Sequence, residues 1–335
     1  MIITKTPFRF SIFGGGCDYP VWYNRNDSSV LTSAIDFYCY LIVRELGSFF
    51  IDHKSTASYS IIEKVSDNKQ FKHPSIRECL RYLGFLEKRV SIMHVGDLPA
   101  RSGIGSSSSF TVGLLKALLS LNNQNISKNK LANMACHIEQ NLIGESVGVQ
   151  DQFAASYGGL IELTLSSKSI KAKKLNLSKE FIKQFENHIM LGFTGLIRNS
   201  NDYSSKLTKK IDKNVLDSHL EEINQISKIG IEAFKKEVDI YEIAKLIDKT
   251  WSLKIRLDKK STSDVFQDLY LIAKQNGAIG GKLMGAGGGG FFYLIANPKF
   301  HEKIKQSLNS IEVWVPFKFA SNGSKILHNS LMVRK

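Results

Sequence analysis

Cysteine is scarce in this sequence. The four cysteines, Cys17, Cys39, Cys79 and Cys136, lie far apart, form no CxxC pair and have no histidine at zinc-finger spacing. This distribution excludes a disulfide scaffold and a structural zinc site. It predicts reduced, mostly packed thiols in a cytosolic protein.

Long hydrophobic runs are also missing. No uninterrupted apolar stretch approaches the ~20 residues that a membrane-spanning helix needs, and the opening MIITKTPFRF contains no apolar signal segment. Hydrophobic residues nevertheless make up 43% of the 335 residues, which is enough to bury a sizeable interior and favours two domains. We therefore expect a cytoplasmic protein without a membrane partner.

Acidic residues are outnumbered by basic ones. Aspartate and glutamate total 31 against 45 lysines and arginines, so the formal net charge is +14 and the pI is about 9.4. Such a charge suits acidic partners, and nucleic acid, anionic lipid and phosphorylated small molecules all qualify. The densest lysine run, over 168–183, lacks an arginine-rich stripe and an aromatic RNA-binding pattern. This favours a solvated basic surface over a nucleic-acid site.

Helical and strand patterns occur together in both halves of the chain, which predicts an α+β fold. A strand-rich opening is followed by the loop PARSGIGSSSS, which leads directly into a helix. A second helix is predicted over 127–142, with Ser127 as its N-cap and Gly144 as its stop. We expect two domains, at 1–175 and 176–335, the second containing the strand, glycine loop and strand of GGKLMGAGGGGFFYLIA.

Three glycine-rich segments interrupt these elements. PARSGIGSSSS, at 99–109, has the small residues, hydroxyls and following helix of an anion cradle, although a serine-rich cap of an ordinary helix is the plain alternative. No lysine follows its glycines, so it is not a Walker A loop. GAGGGG, at 285–290, fits GxGxxG but precedes a strand, which excludes a dinucleotide-binding motif and leaves a hairpin as alternative. The glycines at 14–16 fit a plain turn equally well. The sequence contains no HRD or DFG segment, which excludes the protein-kinase fold.

One acid stands alone in the segment GVQDQFAASYGG, at 148–159. Asp151 lies there in what reads as a turn of small and aromatic residues, 12 residues after Glu139. Glu139 falls at the edge of the apolar stripe of the second predicted helix, four residues after Ala135. The end of that helix and a short turn can bring both carboxylates to one cleft. A surface glutamate and a turn aspartate are the plain alternative.

Taken together, these segments carry a family resemblance. TPFRFSIFGGGCDYP, PARSGIGSSSSF and KLMGAGGGGFF resemble, in order, the three motifs of the GHMP small-molecule kinases, and GVQDQ resembles the catalytic acid segment of the sugar kinases among them. The matches span residues 5 to 292. The forms GGGxDYP and QDQFAASYGG most resemble the D-glycero-D-manno-heptose 7-phosphate kinase branch. The implied fold is a two-domain GHMP kinase, with an N-terminal domain like domain 2 of ribosomal protein S5 and a ferredoxin-like C-terminal domain.

The resemblance also implies roles for single residues. Asp151 matches the aspartate that accepts the proton of the attacking sugar hydroxyl, and Arg9 matches the arginine set against it. A guanidinium there would favour the ionised carboxylate and compensate charge on the developing alkoxide. Asp18 matches an acid that hydrogen-bonds sugar hydroxyls, and Ser107 and Glu139 match the pair that holds Mg²⁺.

Two larger sets of positions follow from the same motifs. The expected ATP-binding residues are Pro99, Ser102, Gly103, Ile104, Gly105, Ser106, Ser107 and Ser108. The expected substrate-binding residues are Gly14, Gly15, Gly16, Asp18, Tyr19, Asp151, Arg198, Gly287 and Gly288. Galactokinases have Glu-His where this chain has Gly15 and Gly16, which disfavours galactose and leaves room for a bulkier or phosphorylated sugar. Arg198 is a candidate phosphate contact, with an exposed structural arginine as the alternative.

The activity that the resemblance implies is ATP-dependent phosphorylation of the anomeric hydroxyl of D-glycero-D-manno-heptose 7-phosphate, with ATP and Mg²⁺ as cofactors. The product, the 1,7-bisphosphate, would lead toward nucleotide-activated heptose for surface polysaccharide. Kinases acting on L-fucose or another unphosphorylated sugar remain the alternative, as does a non-catalytic sugar or nucleotide sensor on the same fold. A GHMP-type decarboxylase is disfavoured by the form of GVQDQ.

Overall fold

We analysed a computed structural model of the chain. It describes residues 1–49, 52–100, 102–195, 200–257, 264–285, 289–311 and 313–330. Three of the expected substrate-binding positions, Arg198, Gly287 and Gly288, lie outside the described residues.

The strands form two sheets. Their bounds are β1 (Ile2–Phe13), β2 (Ser28–Glu45), β3 (Ser55–Ser58), β4 (Ile62–Val65), β5 (Val90–Gly96), β6 (Leu160–Leu165), β7 (Ile170–Lys174), β8 (Ile189–Phe193), β9 (Ala278–Leu283), β10 (Phe291–Ala296), β11 (Val313–Val315) and β12 (Lys325–Asn329).

The helices flank these sheets. Their bounds are α1 (Pro20–Tyr23), α2 (Pro74–Tyr82), α3 (Ser106–Leu121), α4 (Lys128–His137), α5 (Gln150–Tyr157), α6 (Lys179–His188), α7 (Ser200–Asp212), α8 (Asp217–Lys235), α9 (Ile240–Leu257), α10 (Asp264–Gln275) and α11 (His301–Ser307). A π-helix covers Ile138–Ile143, and short 3₁₀ turns cover Asn68–Gln70 and Pro298–Phe300. None of the helices in the described ranges has both the length and the apolarity needed to cross a bilayer. The α+β prediction is confirmed.

The first sheet has the strand order β12-β1-β2-β5-β3-β4, with β6 and β7 branching from β2. The runs SSVLTSAID and CYLIVREL of the strand-rich opening, with only Phe37 and Tyr38 between them, form the single strand β2. Two strands pair with the same edge of β2: β6 pairs with Ser28–Ser33, and β5 pairs with Cys39–Glu45. This arrangement lets one long strand carry two sub-sheets around the buried strand β1.

The second sheet is antiparallel, with the order β11-β8-β10-β9. Helix α9 packs closely on β9, since a Cβ at Gly280 would overlap the carbonyl of Ala244. The two sheets share one core, in which the Phe10 ring of β1 lies 4.5 Å from that of Tyr293 in β10. The division at residue 175 stays a prediction, and strand β12 returns from the second half to pair with β1.

The region between α3 and α5 departs from the expectation of one helix over 127–142. Ser127 caps α4 as predicted, accepting from the Lys130 N–H at 3.2 Å. The chain then widens into the π-helix Ile138–Ile143, which ends at Gly144 in the left-handed region with φ +80°. The helical stretch therefore ends one residue later than predicted and has two geometries.

The segment GVQDQFAASYGG is mostly helical, so its interpretation as a turn was wrong. Residues 150–157 form α5, and Asp151 lies in its first turn. The small residues Ala154 and Ala155 are fully buried, which lets α5 pack against β1 and α3. The four cysteines are free and buried, as predicted.

Candidate active site

Most of the expected functional residues line one cleft of about 840 Å³. Its walls come from the segment after β1, the loop before α3, the first turn of α5, and α9 with β9 of the second half. This volume is in the range of small-molecule sites. The expected residues that line it are Arg9, Gly15, Gly16, Asp18, Tyr19, Gly103, Gly105, Ser106, Ser107, Ser108 and Asp151.

Asp151 and Arg9 form a bidentate ion pair within this cleft. Nε of Arg9 donates to Oδ1 of Asp151 at 2.5 Å, and Nη2 donates to Oδ2 at 2.9 Å. The Arg9 side chain is 6% exposed and that of Asp151 22%, so the carboxylate keeps an open side. Nη1 of Arg9 also donates to the Gly103 carbonyl at 3.0 Å. The pair is thereby tied to the glycine loop before α3.

Asp18 lies in a second polar cluster near this pair. Its Oδ1 accepts from the Gly16 N–H at 3.1 Å, and its Oδ2 accepts from Nε2 of Gln150 at 3.1 Å. Burial raises the pKa of Asp18, and the hydrogen bond from Gly16 opposes that shift. Gly148 packs directly on the carboxylate, since a Cβ there would overlap Oδ2. Asp18 is therefore a buried acid whose orientation depends on α5 and the turn before it.

The loop before α3 has the form of an anion cradle. The N-cap of α3 is Gly105, at φ +70°, so no serine caps this helix as the plain alternative required. A helix N-terminus without a side-chain cap leaves first-turn N–H groups for a ligand. An added Cβ at Gly105 would lie 2.8 Å from Oδ2 of Asp151. Glycine at this position therefore allows the cradle and the acid to lie against each other.

The second and third glycine segments cross at the same end of the cleft. The Phe291 N–H donates to the Ser102 carbonyl at 2.9 Å, and a Cβ at Gly285 would lie 2.7 Å from the Cα of Gly103. The backbones are in contact, which only residues without side chains permit here. The third glycine segment thus supports the anion cradle from the second half of the chain.

Glu139 lies behind the lining of the cleft and is fully buried. Its Oε2 accepts from Oγ of Ser108 at 2.8 Å and from Nε2 of Gln152 at 2.5 Å. Oε1 has no hydrogen-bond partner among the described residues. Burial raises the pKa of Glu139 to about 7. The structure thus brings Ser108 onto Glu139, while Ser107, the predicted metal partner, lines the cleft beside it.

These groups fit a magnesium ion by their chemistry. Mg²⁺ prefers oxygen ligands, usually one or two carboxylates together with substrate phosphates. Glu139 supplies a carboxylate with one unpartnered oxygen, and the Ser107 and Ser108 hydroxyls lie at the anion cradle. A cation would also favour the ionised form of this buried acid.

An aromatic surface, which the sequence interpretation missed, also lines the cleft. The His73 ring stacks on Phe110 with centroids 4.6 Å apart and planes 20° apart, and Tyr59 meets His73 edge-on. Burial lowers the pKa of His73 to about 4, so the imidazole is neutral at neutral pH. These residues come from three separate elements, and no local pattern marks them as a group.

Some expected residues support the cleft without lining it. Ser102 donates to the Pro99 carbonyl at 2.6 Å, and Ile104 is buried in the core while its carbonyl accepts from the Arg9 N–H. Gly14 packs against β2 instead of facing the cleft. Tyr19 lines the cleft and donates to Ser204. The contributions expected of these positions stay predictions.

Three lysines that the sequence interpretation missed also line the cleft: Lys72, which precedes α2, Lys254 from α9 and Lys282 from β9. Lys282 lies three residues before Gly285, the start of the third glycine segment, in KLMGAGGGG, and this signal was available in the sequence. Lys254 has no such signal, because only the packing of α9 on β9 brings it to the cleft.

Comparison with known proteins agrees with this geometry. The GHMP kinase N-terminal domain matches residues 72–159, and the GHMP kinase C-terminal domain matches residues 231–311, together about half of the chain. A D-glycero-alpha-D-manno-heptose 7-phosphate kinase from Campylobacter jejuni is 29% identical, with 97% of this chain and 98% of the relative covered. A bifunctional fucokinase/GDP-fucose pyrophosphorylase from Arabidopsis thaliana is 27% identical over 93% of this chain and 31% of its own length.

Solved structures show the same architecture. A D-glycero-D-manno-heptose 1-phosphate kinase from Bacteroides thetaiotaomicron superimposes with a TM-score of 0.79 at 23% identity, covering 98% of this chain and 99% of the other. A mevalonate kinase from Methanococcus jannaschii superimposes with a TM-score of 0.70 at 19% identity over 95% and 98%. At these identities the likeness establishes the fold. With both family domains in one chain, this protein belongs to the GHMP kinases, phosphotransferases that use ATP to phosphorylate a hydroxyl group.

Proposed function

We propose that this kinase phosphorylates the anomeric hydroxyl of D-glycero-D-manno-heptose 7-phosphate to give the 1,7-bisphosphate. The observation that carries the proposal is the Asp151 carboxylate, held on both oxygens by Arg9 and abutting Gly105 at the start of α3. This arrangement puts a candidate base against a candidate phosphate cradle. The relative from Campylobacter jejuni, which carries a heptose 7-phosphate kinase name, supports this choice of acceptor.

On the donor side, ATP would lie along the cleft with its phosphates at the loop before α3. The first-turn N–H groups of α3 and the hydroxyls of Ser106 to Ser108 would hold the phosphate oxygens. The neutral stack of His73 and Phe110 suits the flat, apolar faces of adenine. Ser107 and Glu139 would hold Mg²⁺, which supplies charge neutralisation for the phosphates when bound.

The transfer itself needs one base and a fixed geometry. The Asp151 carboxylate would take the proton of the sugar O1 hydroxyl while O1 bonds to the γ-phosphorus. The bond from that phosphorus to the bridging oxygen breaks, and ADP leaves. Arg9 would orient the carboxylate and compensate charge on the developing alkoxide. General-base catalysis of this kind contributes roughly 10²–10⁴ in rate.

The acceptor would lie beside Asp18. This buried acid would accept hydrogen bonds from sugar hydroxyls, in an orientation held by the Gly16 N–H and Gln150. Gly15 and Gly16 line the cleft without side chains, which leaves space for a seven-carbon sugar. The second candidate is an unphosphorylated sugar 1-kinase acting on L-fucose, favoured by the similarity to the Arabidopsis fucokinase.

A panel of acceptors separates these candidates. ADP release would be measured with the heptose with and without its 7-phosphate, mannose with and without a 6-phosphate, and L-fucose, and phosphorus NMR would locate the new phosphate. We expect a kcat/KM for heptose 7-phosphate at least a hundredfold above the other acceptors, with the new phosphate on C1. Indifference to the acceptor phosphate, or preference for fucose, would reject the heptose proposal in favour of the second candidate.

A further inference from the structure

Two ammonium groups occupy the end of the cleft where the glycine segments cross. Lys254 projects from α9 and Lys282 from β9, and both line the cleft. The Lys282 side chain is buried at 3% exposure and Lys254 is half-buried. Buried lysines are rare unless they are paired with an anion.

The partners of these ammoniums are neutral oxygens. Nζ of Lys254 donates to the Gly285 carbonyl at 2.8 Å. Nζ of Lys282 donates to the Ile12 carbonyl at 2.9 Å and to Oγ of Ser11 at 3.3 Å. Within the described ranges, neither ammonium lies within 4.0 Å of a carboxylate oxygen. Each ammonium has three N–H donors, so donors remain for a ligand.

The surroundings add positive charge that is not balanced. Arg9, Lys254 and Lys282 face two acids, of which Asp151 is already bound to Arg9. Burial, followed by repulsion from Arg9, lowers the pKa of Lys254 to about 8, and Asp18 only partly opposes this. Burial and repulsion from Lys254 hold the pKa of Lys282 well below its usual range. An anion at this end of the cleft would stabilise the charged forms of both lysines against burial and mutual repulsion.

We propose that Lys254 and Lys282 form a cation pair that binds the oxygens of a phosphoryl group at the transfer end of the cleft. The proposal rests on the kinase function proposed above, in which two such groups occur, the γ-phosphoryl group of ATP and the phosphate of the acceptor. The position of Lys254 favours the first source. Its ammonium contacts Gly285, which touches Gly103, and the Gly103 carbonyl holds Arg9 on the other side.

The two ammoniums differ in what they can do there. Lys254 has two N–H donors left after its bond to Gly285 and would touch the ligand directly. Lys282 has one left and also anchors the end of β1 through Ile12 and Ser11. A cation aimed at oxygens where charge develops lowers the barrier to phosphoryl transfer, since catalysis there is largely positioning and charge neutralisation.

The test compares Lys254→Met and Lys282→Met with the control Lys249→Met, an exposed lysine on the same helix that pairs with Glu222. One arm measures Kd for ATP and for ADP without any acceptor. The other measures KM for a phosphorylated acceptor and for its unphosphorylated form. We expect Lys254→Met to raise the Kd for ATP at least tenfold and the Kd for ADP less than threefold. Lys249→Met should leave both Kd values unchanged. If instead the KM rises only for the phosphorylated acceptor, this would support the same site with the acceptor phosphate as its ligand.

A third variant guards against a purely structural effect. Arginine stays charged at every accessible pH. In Lys254→Arg the affinity for the phosphoryl ligand should therefore persist above pH 8, where we expect that of the wild type to fall because burial lowers the pKa of Lys254 to about 8. Two ratios decide the outcome: the Kd for ATP over that for ADP, and the KM for the phosphorylated acceptor over that for its unphosphorylated form. The proposal is overturned if neither methionine variant changes either ratio by more than twofold, in protein with a wild-type melting temperature. The nucleotide arm needs no sugar, so a wrong acceptor assignment leaves it intact.

Discussion

At the scale of single residues, the ion pair of Asp151 and Arg9 couples orientation to charge. Both carboxylate oxygens are held, and the third guanidinium contact fixes the pair to the Gly103 carbonyl. The planar guanidinium suits such a geometry, which a lysine could not reproduce. The carboxylate of Asp151 is therefore oriented before any ligand binds, as the role proposed for it requires.

Asp151→Asn should remove the base while keeping the shape of the site. The amide cannot accept the hydroxyl proton, so we expect kcat to fall by about 10²–10⁴ while the Kd for ATP changes less than threefold. Steady-state ADP release and equilibrium nucleotide binding would be measured, with the exposed Asp212→Asn as matched control. Retention of more than a tenth of wild-type kcat would contradict the role proposed for Asp151.

Glu139 predicts a pH dependence of stability. Because burial raises its pKa to about 7 in the folded protein, folding favours the protonated acid. That stabilisation is complete below the ordinary glutamate pKa and is lost as pH rises through about 7. Relative to Glu139→Gln, the wild type should lose about 3 kcal/mol of unfolding free energy between pH 4.5 and pH 8.

The measurement is urea unfolding of both proteins across this pH range, with EDTA present so that no divalent cation competes with the proton. The relevant quantity is how the difference in unfolding free energy between the wild type and Glu139→Gln changes with pH. A packing effect of the glutamine that does not depend on pH cancels in this comparison. Exposed Glu221→Gln should show no such change against the wild type. A difference between wild type and Glu139→Gln that stays flat with pH would show that Glu139 is not protonated on folding.

At the scale of elements, the stretch from α4 to α5 sets the distance between the buried Glu139 and the cleft-lining Asp151. The π-helix Ile138–Ile143 carries Glu139, Gly144 ends it, and the first turn of α5 carries Asp151. Single π-helical turns often occur at functional sites. Here the widened turn lies where a buried carboxylate must reach the hydroxyls at the start of α3.

Gly148→Ala tests the turn between these helices. The new Cβ would overlap Oδ2 of Asp18 and break the hydrogen bonds from Gly16 and Gln150 that orient it. Hydrogen bonds to a charged group are worth about 1.5–3 kcal/mol each, so the acceptor KM should rise at least tenfold while the ATP KM stays within threefold.

The control for this variant is Gly96→Ala, where a Cβ meets its neighbours at ordinary distances of 3.4 Å or more. It should match the wild type in both KM values. The assignment of Asp18 to the acceptor fails if Gly148→Ala raises the ATP KM and leaves the acceptor KM unchanged.

The features that could be predicted from the sequence are those written in contiguous segments. The glycine loops, Asp151 and the cap at Ser127 each have a local signature, and the α+β class follows from periodicity. The helical state of residues 150–157 was missed because its small residues carry no amphipathic pattern and become a helix through packing against β1 and α3. Tertiary packing overrode the local signal there.

Residues that meet only in the folded chain could not be predicted in this way. Lys254 approaches Lys282 because α9 lies directly on β9. This packing of helix on strand is possible because Gly280 has no side chain. The stack of His73 on Phe110 likewise joins the residue that precedes α2 to α3. Neither contact has a fixed sequence spacing, so a single sequence gives no signal for it.

At the scale of the molecule, both halves of the chain contribute to one site. Residues up to Asp151 supply the cradle, the acid and its arginine, while Lys254, Lys282 and Gly285 come from the second half. The two sheets share one core through Phe10 and Tyr293. The geometry of the cleft therefore depends on how the two glycine segments pack against each other.

Gly285→Ala should separate these segments. The residue has φ +70°, and the added Cβ would lie 2.7 Å from the Cα of Gly103, so the variant meets both backbone strain and a clash with main chain that cannot rotate away. Left-handed geometry alone costs about 1–2 kcal/mol. We expect a larger loss of unfolding free energy than this, and a rise in the ATP KM of at least tenfold, because the cradle moves away from Asp151.

Gly84→Ala supplies the matched control, since Gly84 has φ +74° and no heavy atom within 4 Å of an added Cβ. It carries the strain without the clash, so its melting temperature should fall less and its ATP KM should stay at the wild-type value. Urea unfolding and steady-state kinetics on both variants separate the two costs. Equal destabilisation with an unchanged ATP KM in Gly285→Ala would mean that the glycine crossing does not set the geometry of the cleft. The close approach of the two backbones would then be a feature of folding alone.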